Sequence, residues 1–135
     1  MLMRCILIGL AISLSALNAN EDVLSTRRDT RSDVVYDYKV ETAFVQRIPQ
    51  WGGPPQDVPL PIGSAIRNSV QKAKEKNIAL GSLRYVILAK RTLSGDRDVW
   101  AYSITFKAQD DENQQGTMFV VLLDGTVILP TIREQ

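Results

Sequence analysis

Apolar and polar residues alternate cleanly from Val34 onward. Val34, Tyr36, Tyr38, Val40, Thr42 and Phe44 fall on one side, with Asp37, Lys39 and Glu41 on the other. A period of two places one face of a strand on a core and the other in water, as in an antiparallel sheet. The period then changes. Ile62, Ala65, Ile66, Ser69, Val70 and Ala73 recur every three or four positions, with Arg67, Gln71, Lys72, Lys74, Glu75 and Lys76 between them. This spacing predicts an amphipathic helix over residues 62–76 with a narrow stripe of small side chains. Pro61 suits its first turn, the lysines suit its negative end, and Asn77 suits a left-handed stop. Strand signals follow at 83–92, at 99–107 (Trp100, Tyr102, Ile104 and Phe106 on one face) and at 117–123. Ser94-Gly95-Asp96-Arg97 and Asp124-Gly125 are turns between them, and residues 126–129 fold back or continue with a kink. The expected fold class is α+β, one helix packed on a four- to five-stranded antiparallel sheet in the order β-α-β-β-β(-β).

Two stretches stand outside this pattern. Residues 5–17 (CILIGLAISLSAL) are an apolar run interrupted by two serines. Met1–Arg4 precedes it with one positive charge, and the small and polar residues Ala16, Asn18, Ala19 and Asn20 follow. That order predicts a secretory signal peptide over residues 1–19, cleaved after Ala19 or after Ala16. The run falls short of the ~20 apolar residues of a spanning helix, so no stable membrane insertion is expected after cleavage. Residues 20–33 (NEDVLSTRRDTRSD) are polar and mixed in charge, which predicts a flexible leader. Residues 34–135 then make a single domain, close to the usual size of one.

Composition narrows the chemistry. The chain has no histidine, and its one cysteine, Cys5, lies within the signal. The exported part therefore cannot carry Ser-His-Asp or Cys-His catalysis or the common zinc sites, and it must fold without disulfides. Arg4 is the only charge in the signal, so fifteen basic residues balance fifteen acidic ones afterwards. A neutral chain has no global field to steer nucleic acid or an anionic membrane, and no nucleic-acid partner is expected. No cysteine, no Asn-x-Ser/Thr sequon and a short signal fit a bacterial periplasm or exterior.

Four features are candidates for chemistry. Ser69 and Lys72 match S-x-x-K, a helical nucleophile signature, but no K-T-G partner follows, and Ser69 sits on the apolar stripe as a packing residue. Asp110, Asp111 and Glu112 are consecutive rather than alternating, which suits a solvated loop better than a calcium site. Arg27, Arg28 and Arg31 are offset by neighbouring acids. Trp51 is flanked by Gly52, Gly53 and Pro54 in a segment, residues 49–61, that holds five of the six prolines. A stiff loop presenting an aromatic loses little entropy on docking, and this makes Trp51, Gly52, Gly53 and Pro54 the candidate binding residues. The alternative is that Trp51 folds back to cap the sheet.

The order of elements resembles the cystatin-like arrangement. From the helix onward it is similar to PepSY-type domains, small exported modules of one helix and three strands. The residues that carry the likeness are the helix 62–76, the pair Tyr85–Leu93 and Trp100–Phe106, and the closing Val120–Val127 segment with Asp124-Gly125. The cystatin loop Gln-x-Val-x-Gly and the Pro-Trp turn are absent. The resemblance implies a compact exported domain, and its cystatin side implies peptidase inhibition. Together these observations lead to an expected function as a non-enzymatic exported module that binds a protein or peptide through the Trp51 loop or an exposed sheet edge, without cofactor or metal. The alternatives are a small-ligand carrier with a pocket between helix and sheet, lined by Trp100, Tyr102, Ile104 and Phe106, and a peptidase inhibitor.

Overall fold

A computed structural model describes residues 21–29, 32–93, 97–109 and 116–133. The expected signal peptide and its cleavage position, the turn residues Ser94–Asp96, Arg31 and the acidic cluster Asp110–Glu112 lie outside the described residues. The elements in chain order are β1 (Glu21–Asp29), β2 (Val34–Glu41), α1 (Thr42–Val45), α2 (Ile62–Glu75), β3 (Leu83–Leu93), β4 (Arg97–Phe106), β5 (Thr117–Leu122), β6 (Val127–Ile128) and β7 (Thr131–Arg133).

The fold is mixed α and β, as expected, but the single sheet is not. Among the described residues two antiparallel sheets form, one ordered β1-β2-β7 and one ordered β3-β4-β5-β6. The difference begins at the stretch expected to be a flexible leader. Residues 21–29 form a nine-residue strand that pairs with β2 from Glu21↔Glu41 to Asp29↔Val34. Its polarity hides the strand because polar bonds, rather than apolar burial, hold much of it. Thr42 Oγ1 donates to the buried Asp22 carboxylate at 2.9 Å, and Thr26 Oγ1 donates to Asp37 at 2.9 Å. Leu24 alone in β1 sinks into the core.

The wet face expected for β2 is also only partly wet. Lys39 and Glu41 are exposed, but Asp37 is buried. There it receives Thr26 and a fork from Arg133, whose Nε and Nη2 donate at 2.9 and 2.7 Å. One carboxylate thus ties β1, β2 and the short β7. The Arg133 guanidinium, acting with Thr26 against the opposing effect of burial, holds the Asp37 carboxyl below its ordinary range. β2 ends at Glu41, where the chain makes the single turn α1 and buries Val45.

The four-stranded sheet holds the core. Met118 to Leu123 are buried in succession, and Tyr102, Ile104, Thr105 and Phe106 of β4 are buried beside them. Burial at consecutive positions means that both faces of these strands are covered. On one side α2 packs on β4, β5 and β6. The three-stranded sheet, which touches β3 and β6, supplies further cover. α2 follows its expected bounds closely. Ala65, Ser69 and Ala73 are its buried positions, and small side chains there bring the helix axis close to the sheet. Beyond α2, Asn77 takes a φ of 56° and Ile78 N–H donates to Ala73 O at 2.8 Å, closing the helix end. The Asp124-Gly125 turn forms as expected. Gly125 has a φ of 95°, its N–H donates to Leu122 O at 2.9 Å, and its own carbonyl accepts Asn68 Nδ2 from α2 at 3.0 Å. Among the described residues no helix is long and apolar enough to cross a membrane.

Candidate functional site

A cluster of exposed apolar residues lies on β3. Its sequence, LRYVILAKRTL, is rich in β-branched and aromatic side chains and pairs with β4 along its whole length, from Leu83↔Phe106 to Leu93↔Arg97. The register shifts between Leu83 and Tyr85, so the strand enters the sheet through a bulge. On its other side no strand pairs with it among the described residues. An edge of this kind offers a row of free backbone donors and acceptors.

Only Leu93 of the eleven residues is buried. Leu83, Tyr85 and Ile87 are 43%, 46% and 50% exposed, and Val23 of the adjacent β1 is 45% exposed. Single exposed apolar residues are ordinary, but a cluster on an open strand edge is the form an interaction site takes. Tyr85 and Ile87 stand on the same face, opposite Thr105 and Ser103 of β4. Cations flank them. Arg84 lies 6.0 Å from the Tyr85 ring centroid, and Lys90 and Arg91 are exposed further along. Lys90 reaches Asp98 only at 3.9 Å between half-exposed groups, while Thr92 Oγ1 bonds the same carboxylate at 2.8 Å. Among the described residues Arg84 and Arg91 form no ion pair.

Of the two readings of the Trp51 loop, the inward one describes its place in the structure. Trp51 is half-buried, its ring meeting Trp100 edge-on with centroids 4.6 Å apart. Its indole N–H donates within the loop to Gln56 O at 3.2 Å. Gly53 is buried close to the Trp100 ring, while Gly52 and Pro54 are exposed. Tyr102 OH donates to Leu60 O at 2.6 Å, and burial raises its pKa. The proline-rich segment is thus a strap tied across the Trp100–Tyr102 side of the sheet.

The helix–sheet pocket required of a carrier is filled. Tyr102, Ile104 and Phe106 are buried, and Phe106 meets Phe119 edge-on at 6.1 Å. Clefts of about 200, 290 and 210 Å³ lie elsewhere, and none is lined by those residues or by Trp100. The first lies beside Arg27 and Tyr38. There the Arg27 guanidinium donates to Gly116 O and Tyr38 OH donates to Met118 O at 2.8 Å. Burial pushes the Tyr38 hydroxyl up to about 12, against the lowering effect of Arg27. Ser69 is fully buried and its hydroxyl donates to Ala65 O at 3.1 Å, as a packing residue of a helix does. No group of three or more metal-ligating side chains gathers among the described residues.

The sequence allows for an exposed sheet edge but does not place it on β3. Residues 85–89 are five apolar residues in succession, which reads as a strand covered on both faces. Whether a strand lies at the centre or the edge of a sheet is set by distant pairing, which leaves no local mark. Compared with known proteins, the chain matches no family model, no curated protein and no solved structure.

Proposed function

We propose that this protein is an exported peptide- or protein-binding module that takes an extended segment of its partner as an added strand on β3. The observation behind this reading is the eleven-residue edge strand with Leu83, Tyr85 and Ile87 exposed along it. In strand addition the backbone ladder supplies affinity and alternate side-chain positions supply selectivity. Both parts are present here, and the half-buried Trp51 favours the edge over the loop as the docking place. The fold around β3 is stiff, because β4 and β5 beneath it are buried on both faces. A rigid template of this kind loses little entropy when a peptide lies down on it. The expected site of action is the periplasm or the exterior, after removal of residues 1–19.

The test is selection of binders from a displayed library of extended peptides, followed by amide hydrogen exchange of the protein with a selected peptide bound. Strand addition predicts new protection along β3. It also predicts a loss of binding of at least about tenfold in the double variant Tyr85→Lys, Ile87→Lys, whose exposed positions leave the core intact. Selected peptides that protect another surface, or that bind the double variant equally well, would refute the reading.

A further inference from the structure

We infer that the strand accepted by β3 is antiparallel and acidic, with apolar residues facing Tyr85 and Ile87 and carboxylates facing Arg84, Lys90 and Arg91. This inference rests on the strand-addition reading and adds the chemistry of the partner to it.

The exported chain is neutral as a whole, so attraction to a partner has to come from local charge. Along β3 that charge has one sign. Arg84 near one end and Lys90 and Arg91 near the other are exposed, and among the described residues Asp98 is the one carboxylate that forms an ion pair with any of them. The apolar pair Tyr85 and Ile87 lies between the cations. With β-strand rise of roughly 3.3 Å per residue, the two cationic ends are about 20 Å apart. The partner segment therefore needs an apolar centre and acidic flanks. The β4 register narrows this further. Tyr85, Ile87 and Arg91 pair with Thr105, Ser103 and Val99, so all three point to one face, while Lys90 points to the other. On that face the antiparallel partner presents a carboxylate and, four and six positions later, two apolar side chains.

The same cations disfavour a second copy of this chain as the occupant in the two registers that centre its apolar pair. Two β3 strands paired antiparallel about a twofold axis between Ile87 and Leu88 place Arg84 against Arg91 at both ends. An axis through Ile87 places Arg84 against Lys90 instead. Like charges directly opposite destabilise a strand pair, so the cations act as gatekeepers against self-pairing. An oppositely charged strand turns the same groups into attractive contacts. The antiparallel sense follows from the sheet, in which every pairing is antiparallel, and from the better geometry of antiparallel ladders.

The test uses three synthetic peptides matched in length to β3 and titrated into the isotope-labelled protein, with β3 amide shifts as the readout. All three carry valine at the positions facing Tyr85 and Ile87 and threonine elsewhere. They differ only at the positions facing Arg84, Lys90 and Arg91, which are Glu, Gln or Lys. Exposed charge pairs contribute a factor of about two each, so the Glu peptide is expected to bind about tenfold tighter than the Gln peptide, with the margin shrinking as salt rises. The Lys peptide is expected to bind weakest, and the double variant Arg84→Glu, Arg91→Glu to reverse the order. Equal affinity for the Glu and Gln peptides at low salt, with β3 amides shifting for both, overturns the acidic partner and leaves strand addition standing. If none of the peptides shifts the β3 amides, strand addition itself fails.

Discussion

Gly116→Ala is expected to destabilise the protein by about 3 kcal/mol, which for a domain of this size lowers Tm by roughly 15 °C. Gly116 is buried at the point where β5 begins, next to the pair Phe106↔Thr117 that ends the β4–β5 ladder. A Cβ built there overlaps the Phe106 carbonyl oxygen and comes within 2.8 Å of its carbon and 3.2 Å of Lys107 Cα. All three obstacles are backbone, so no side chain can swing aside, and the start of β5 has to move off β4. The Gly116 carbonyl also accepts Arg27 from β1, which spreads the displacement to the other sheet. Gly63→Ala in α2 is the matched control. Its Cβ meets only Arg67 Nη1, at 3.5 Å, and the same substitution there gains helix propensity of about 0.5–1 kcal/mol. Urea unfolding of both variants checks the contrast, and a Gly116→Ala protein as stable as the parent would contradict the tight β4–β5 junction.

Asp37→Ala is expected to cost about 2–3 kcal/mol, the penalty for removing the acceptor at the centre of a buried, charge-assisted network. Thr26, Arg133 Nε and Arg133 Nη2 all lose their partner together, and β7 loses the side-chain fork that ties it to β2. The same network sets an acid dependence. The folded pKa of Asp37 lies below the ordinary aspartate value of 3.8. Its contribution is therefore fully present above 3.8 and is lost as pH falls through the lower folded value. Unfolding free energy measured from pH 5 downward is expected to fall less steeply in Asp37→Asn than in the parent. Parallel curves would show that another carboxylate governs the acid limb.

The parts of this molecule that were legible in the sequence are those fixed by local chemistry. The stripe Ala65, Ser69, Ala73 and the stop at Asn77 place α2 within a residue of its observed end. Asp124-Gly125 marks its turn because few residues other than glycine take that backbone conformation. β4 is legible because alternation from Trp100 to Phe106 survives burial on both faces. β1 was not legible, because its stabilising partners are Thr42 and Asp37, eleven or more residues away and polar. The division into two sheets was not legible either, since it depends on β1 and β7 choosing β2 over the larger sheet. Trp51 kept two readings open, and its contact with Trp100, distant in sequence, turns it inward. The open edge of β3 follows from the same non-local pairing, which is why five apolar residues in succession concealed a candidate binding surface.

Amide hydrogen exchange of the protein alone reads whether β3 is a free edge. A free edge predicts that alternate β3 amides, those pointing away from β4, exchange rapidly while their neighbours bonded to β4 stay protected along with β5. Uniform slow exchange along Leu83–Leu93 would contradict the account, because it would mean that the edge is already occupied.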